Sequence, residues 1–340
     1  MSIVAGPDSR DFMETLTASS SWQLLHQEMQ RRWPVTPDEL DAIVRYALLP
    51  AGKMIRPIMT LHCAAAVGGD PEPVLPAALA LEYVHVATLV HDDIIDNDDV
   101  RRGRASVPAA YGVPNAIIAG DQLIFDAFAA ITGSQHAGLP AGGVVAAVSA
   151  LAEAGAALCR GQSLESRLAG DLSVGVEPYL EVARLKTGAL FRAACQVGAA
   201  LGGADPATIG ALADYGEQLG IAFQIRDDLL SYTEQPDLIG KSTTSDLSNG
   251  RATLPVLLAW AASSPDGRTA LTGALRDGAA SQAAVTLVAD AVRATTALER
   301  SYALADEYAG RAHRQLAVLA PSASTDVLAA VPGWATARRW

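Results

Sequence analysis

Residues 89–103 read LVHDDIIDNDDVRRG and set five carboxylates within eight positions, Asp92 to Asp99, directly after an apolar run and directly before two arginines. Like charges at that density repel unless something neutralises them. If the preceding helix continues through the stretch, Asp92 and Asp96 project from one face, with Asp93 a step around. Oxygen-only ligands at helical spacing suit a hard divalent cation, and Mg²⁺ keeps several waters while binding through one or two carboxylates plus the phosphates of a substrate. The stretch therefore reads as a magnesium and diphosphate site. The alternative is a solvated acidic helix end, or the N-cap of the next helix.

Composition says what kind of chain carries this stretch. Of 340 residues half are hydrophobic, 5% aromatic and 18% charged, and alanine and leucine dominate, which favours helices over sheets. A net charge of −12 argues against a general nucleic-acid binder, so an anionic substrate must be held by local cations. Cys63, Cys159 and Cys195 lie in apolar, alanine-rich surroundings without ligand spacing and read as reduced core residues of a cytoplasmic protein. The N-terminus carries early acidic residues and no apolar stretch of signal-peptide type. No transmembrane segment is expected: the best apolar run, 144–159, contains Glu153.

Helical periodicity alternates with breaker clusters at 68–73, 132–143, 170–178, 202–206, 263–267 and 321–324. Strict alternation is scarce, so no sheet is expected, and neither a composition shift nor a repeat divides the chain. The simplest architecture is all-α: a single domain over residues 1–340, one large helical bundle around a deep central cavity.

A second acidic site lies in residues 223–255, where Asp227 and Asp228 again follow an apolar helical stretch, with Gln224 one turn before. Two apolar helices that each end in an Asp-Asp pair can face each other across a bundle, the place where such carboxylate metal sites are built. Cations suited to diphosphates stand around both. Lys53 and Arg56 are three apart before Pro57, Arg101 and Arg102 follow the first motif, Lys186 opens KTGALF, and Lys241 and Arg251 follow the second. Each alone reads as a surface charge, but they recur beside acidic or glycine-containing motifs.

Taken together, these motifs resemble those of the trans-isoprenyl diphosphate synthases of the polyprenyl synthetase superfamily, over about residues 48–255. DDxxD stands at Asp92, Asp93 and Asp96 with RRG behind it, and GKxxRP at Gly52 to Pro57. His85 sits two turns before Asp92, KT is Lys186–Thr187, FQxxDD runs from Phe223 to Asp228, and GKxxxxD from Gly240 to Asp246. The resemblance implies roughly a dozen helices, usually as a homodimer, around a deep cavity. It further implies that about three Mg²⁺, held by oxygen ligands, bridge both acidic motifs and an allylic diphosphate. By the same carry-over Asp92, Asp96 and Asp227 are the direct ligands, with Asp93 and Asp228 in support. Arg101, Lys186 and Lys241 bind the allylic diphosphate, with Thr187, Gln224 and Arg251 beside it, while Lys53, Arg56, His85 and Arg102 hold isopentenyl diphosphate. The implied reaction is ionisation, condensation and proton loss, with Asp92, Asp96, Asp227, Lys186 and Arg101 at its centre.

The chain departs from the pattern where Ser231 replaces the third carboxylate of the second motif, where Arg251 stands for a lysine, and where Ala51 replaces a glycine. Short-chain members place a bulky aromatic four or five residues before the first aspartate, where this chain has Thr88 and Ala87. A product longer than C15 is expected. Tyr83 and Val84 lie deeper, and Tyr83 as a floor favours C20 geranylgeranyl diphosphate, with C15 or C25 and beyond as the alternatives. Two other classes share the pattern: a non-catalytic subunit of a heteromeric synthase, opposed by the intact first motif, and a cyclase on the same scaffold. Retention of Lys53, Arg56, His85 and Arg102 opposes the cyclase, which needs no second diphosphate site.

Overall fold

The computed structural model describes residue 14 and residues 16–17, 19–233, 249–276 and 281–337, apart from the side chain of His136. Among them fifteen α-helices follow one another. Short polar caps start several: Ser19 accepts from the Trp22 amide ahead of α1 (Ser20–Arg32), and Asp38 from that of Asp41 ahead of α2 (Glu39–Leu48). After α3 (Ile55–Ala66) comes α4 (Leu75–Ile95), whose last turn carries Asp92 and Asp93. Asp96 caps it, its amide donating to the Asp92 carbonyl at 2.8 Å. The first acidic motif is thus a helix end, with Asp92 and Asp96 one turn apart.

Directly afterwards comes the one β structure among the described residues, a ribbon of β1 (Val100–Arg101) and β2 (Arg104–Ala105). Its two-residue turn is Arg102–Gly103, with φ of 51° and 76°, as a primed hairpin turn demands. No sheet is expected from the sequence, because strands of two residues show no alternation. Long-range contacts hold the ribbon: the Tyr46 hydroxyl donates to the Ala105 carbonyl at 2.7 Å, and Arg104 lies over the Tyr46 ring.

Then follow α5 (Val107–Tyr111), α6 (Val113–Gly133), α7 (Ala141–Leu168), α8 (Val176–Ala183), a π-helical turn (Arg184–Gly188) and α9 (Ala189–Leu201). The 28-residue α10 (Pro206–Thr233) leads on to α11 (Leu254–Ala262), α12 (Pro265–Arg276), α13 (Gln282–Arg293), α14 (Ala297–Gln315) and α15 (Ala323–Ala337). Two hydrophobic clusters meet on α10: Leu212, Tyr215 and Leu219 belong to one with α3, α4 and α9, and Ile221, Ile225 and Leu229 to the other with α11 to α14. Cys63 and Cys195 are buried as expected, whereas Cys159 is exposed. Its alanine-rich neighbours lie on α7, a helix that shows much of its apolar surface. Both α6 and α7 are long and apolar enough by length and composition to cross a membrane, which the short run 144–159 understates.

Glycine sets how closely the site-bearing helices approach. A Cβ on Gly220 of α10 would lie 2.6 Å from the Gly188 Cα, and one on Gly161 of α7 2.8 Å from the Lys186 Cγ. Gly220→Ala should therefore cost about 1–3 kcal/mol in a urea melt by overpacking against backbone. Gly210→Ala on the same helix, whose Cβ meets nothing within 4 Å, should leave stability unchanged or raise it.

Candidate active site

The end of α4 concentrates negative charge, and Asp93, Asp96 and Asp98 are paired with arginines. Asp93, only 2% exposed, accepts from the Arg101 guanidinium at 2.8 and 2.5 Å, and Arg101 also reaches Asp98 at 3.5 Å. Asp96 accepts from Arg251 at 2.5 Å. Arg251 leans toward Glu165 of α7 at 3.6 Å, and Glu165 accepts from Lys186 at 2.6 Å. Desolvation raises the Asp92 carboxyl above its usual range, Lys186 and Arg251 pull it back, and Asp96 and Glu165 push it further up. Asp92, Asp96 and Glu165 thus share a pocket with Lys186 and Arg251.

The second motif is ordered through neutral donors. Asp228 accepts from the Tyr179 hydroxyl at 2.7 Å and from the Gln224 amide at 2.8 Å, while Gln224 accepts from the Thr187 hydroxyl at 2.6 Å. Asp227, on the same helix, is exposed. Lys186 and Thr187 are consecutive in the π-helical turn, and they serve the two motifs separately: Lys186 the first, Thr187 the second. Such a turn re-aims successive side chains relative to a regular helix. The glycines that admit it explain why a lysine and a threonine side by side can tie two distant aspartate pairs together.

A separate cationic cluster lies on α3, α4 and the ribbon. Gly52 abuts the Arg102 guanidinium so closely that a Cβ would lie 2.7 Å from it, and Lys53 lies 6.0 Å from the Trp334 ring centroid. Arg56 stacks over Phe191 at 4.4 Å, and Phe223 bridges Phe191 to Trp334. Desolvation lowers Arg56 to about 10, opposed by the charge of Glu82. Glu82, 3% exposed, is itself raised by burial and pulled down by Arg56 and Arg102. Desolvation first, then the charges of Arg56, Arg102 and Arg101, hold His85 well below its usual range, so its imidazole is neutral near pH 7.

Sequence reasoning picked out most of these positions but missed Glu165, Tyr179, Glu82 and Trp334. Glu82 left a signal, a carboxylate inside the apolar run LALEYV, and so did Glu165, a carboxylate four residues beyond Gly161 in an alanine-rich helix. Tyr179 and Trp334 left none. Lys241 and Asp246 lie outside the described residues, as do Arg338 and Arg339 of the C-terminal ARRW. Of the chain-length candidates, Ala87 and Val84 are buried, the Thr88 hydroxyl donates to the His85 carbonyl, and Tyr83 packs edge-on against Trp33.

Among the described residues no three or more His, Cys, Asp or Glu side chains converge to cage a metal ion. The donor chemistry nonetheless fits a hard cation that brings its own waters and a substrate's phosphate oxygens and needs only one or two carboxylates. Asp92 and Asp96, all oxygen and one helical turn apart, would supply those.

The sequence model of the polyprenyl synthetase family matches residues 37–292. The chain belongs to the polyprenyl synthetase family. Its helical fold and its class of activity, prenyl transfer that builds isoprenyl diphosphates, come with that membership. A short chain isoprenyl diphosphate synthase of Methanothermobacter thermautotrophicus is 35% identical over 87% of this chain and 90% of its own length. A geranylgeranyl diphosphate synthase of Methanosarcina mazei is 40% identical over 67% and 69%, and an octaprenyl diphosphate synthase of Escherichia coli 33% over 81% and 82%. Among solved structures, a polyprenyl synthase of Caulobacter crescentus, complexed with calcium and isoprenyl diphosphate, superposes with a TM-score of 0.88 at 29% identity over the whole of both chains. Family membership thus fixes the class of product and not its length.

The neutral state of His85 has a thermodynamic signature. Its pKa is lower in the folded chain, so on acidification the unfolded chain takes up a proton that the folded one refuses, and stability falls as pH drops through about 6.5. Replacing His85 with Gln should shrink the loss of stability between about pH 7 and about pH 5, followed by thermal melts. Part of the loss should remain, because burial lowers His62 as well.

Proposed function

We propose that this member of the family uses Mg²⁺ to condense isopentenyl diphosphate with an allylic diphosphate of C5 to C15, and that its main product is C20 geranylgeranyl diphosphate. The observation that carries the reading is the pairing of two unlike anion pockets on one helix. At the end of α4 lie carboxylates interlocked with Lys186 and Arg251, and two turns earlier His85 joins Arg56 and Arg102 in a cluster beside the buried carboxylate of Glu82.

In this reading Asp92, Asp96 and Asp227 hold the divalent ions, with Asp93 and Asp228 fixed by their own partners beside them. The ions, when bound, supply positive charge to the departing diphosphate, which gains negative charge as its bond to the allyl group breaks. Lys186 and Arg251 bind the same diphosphate through its outer oxygens, and Arg101, held by Asp93, shapes the ribbon from which Arg102 projects. Lys53, Arg56 and Arg102 grip isopentenyl diphosphate, and the neutral His85 donates one hydrogen bond to it. The double bond attacks the allylic cation, and the proton then lost goes to the departed diphosphate, since no side chain stands out as a general base. Apolar walls along α4 and α9 keep water from the cation.

Two features support the finer parts. Ala87 and Thr88 set no aromatic ring one turn below Asp92, so the growing chain would pass that level and exceed C15, and Tyr83, one turn further down, would be its floor. Val113, Ile117, Ile118 and Phe125 of α6 and Val145 of α7 are all exposed, Phe125 by 73%, and a second copy of the chain would cover them. That favours a homodimer over a membrane-crossing role for α6 and α7, and the enzyme would work in the cytoplasm.

Product analysis with Mg²⁺, isopentenyl diphosphate and C5, C10 or C15 allylic diphosphates tests the reading. Asp92→Ala and Asp227→Ala should each cut turnover by about two orders of magnitude or more while leaving the thermal melt in place. Near wild-type rates would defeat the assignment of these ligands. Ala87→Phe should shorten the product by at least one C5 unit, and an unchanged product would put the floor elsewhere.

A further inference from the structure

One of the carboxylates assigned to the metal ion is already occupied by a guanidinium. Asp96, 9% exposed, is joined to Arg251 at 2.5 Å, and the same guanidinium faces Glu165 at 3.6 Å. Glu165 in turn holds Lys186 at 2.6 Å. Arg251 comes from the segment just before α11, 155 residues away from Asp96 in sequence, so the pair is a tertiary closure rather than a local contact. A planar, always-charged guanidinium can engage two carboxylates at once, whereas a lysine ammonium is a single point charge. The arginine that replaces the family's lysine at this position is therefore suited to a task the lysine performs less well.

We infer that Arg251 is a latch: it neutralises Asp96 in the metal-free enzyme and transfers to the diphosphate when metal and substrate arrive together. The inference rests on the assignment of Asp92 and Asp96 as metal ligands. A divalent ion arriving alone must displace Arg251 and leave a cation beside a second cation. An ion arriving with diphosphate gives Arg251 a new anionic partner in the same pocket. Each ligand then raises the other's affinity, and by linkage the factor is the same in both directions. Glu165 keeps Arg251 and Lys186 in the pocket throughout the exchange, which makes it a positioning residue.

Binding of Mn²⁺ to the full chain, counted as free Mn²⁺ by electron paramagnetic resonance with and without inorganic diphosphate, tests the latch without turnover. For Arg251→Gln the affinity for Mn²⁺ alone should rise at least about threefold, the scale of one lost ion pair, and the enhancement by diphosphate should shrink. The metal-free thermal midpoint should fall because Asp96 loses its partner. Arg251→Lys should lie between the variant and the wild type. Arg160→Gln, at an exposed position of α7 outside these pairs, removes the same unit of charge without touching Asp96 and should leave Mn²⁺ binding nearly unchanged. An equal gain in Arg160→Gln and Arg251→Gln would make the effect one of general field and overturn the latch, as would an unchanged or weaker affinity in Arg251→Gln. Asp92→Asn and Asp96→Asn separate the two levels. If both bind Mn²⁺ as the wild type does, the metal assignment falls and the latch with it; if both lose binding while Arg251→Gln gains nothing, only the latch falls.

Discussion

The constraint on which the rest of the structure depends is the neutralisation of carboxylates at the end of α4. Asp92, Asp93 and Asp96 are partly or wholly removed from water, and an unpaired charge in that state is strongly destabilising. The chain supplies each neighbourhood from a different distance. Arg101 comes from five residues after Asp96, on the first strand of a hairpin whose turn holds Arg102 at positive φ. Lys186 comes from the π-helical turn, and Arg251 from beyond the second motif. Folding therefore closes a pocket around the acidic end, and the loop, the turn and the α11 approach are shaped by what that closure needs.

Close helix approach is the second requirement, and it follows from the first. Lys186 can reach Glu165 while Thr187 reaches Gln224 only if the segment carrying them lies almost against both α7 and α10. Glycines at 161, 188 and 220 remove the side chains that would hold the backbones apart. The π-helical turn then divides two consecutive residues between two partners. Packing and electrostatics meet here: without the glycines the cations would be present in the sequence but misplaced in space.

What could be read from the sequence is what lies close along the chain. Asp92 and Asp96, and Gln224 and Asp228, are set by helical spacing, and the alanine- and leucine-rich periodicity around them foretold an all-α fold; Lys53 and Arg56 share no helix face, because Met54 stands at φ 52° and α3 begins only at Ile55. What escaped was set by tertiary closure. Tyr179 and Asp228 are 49 residues apart, and Lys186 and Glu165 are 21 apart, with nothing local to announce either pair. The ribbon was invisible because its strands are two residues long, and the exposure of Cys159 because composition does not say which side of α7 meets the core.

The electrostatic difference between the two pockets bears on which diphosphate leaves. In the pocket at the end of α4, carboxylates outnumber cations, so an anion is welcome there only together with divalent charge. The cluster of Arg56, Arg102 and His85 is the reverse: its cations face a buried carboxylate, Glu82, and burial first, then those same cations, keeps its histidine neutral. On the proposed assignment an anion binds there without metal, held by hydrogen bonds and by arginines in poorly solvated surroundings, where their attraction is least screened. On the proposed assignment, the diphosphate assisted by metal is the one whose bond to carbon breaks, and the diphosphate gripped without metal keeps its bond. That is the outcome chain elongation requires, because the product carries forward the diphosphate of the unit just added. The asymmetry follows from where the carboxylates stand, and it needs no side chain that chooses between the substrates by shape.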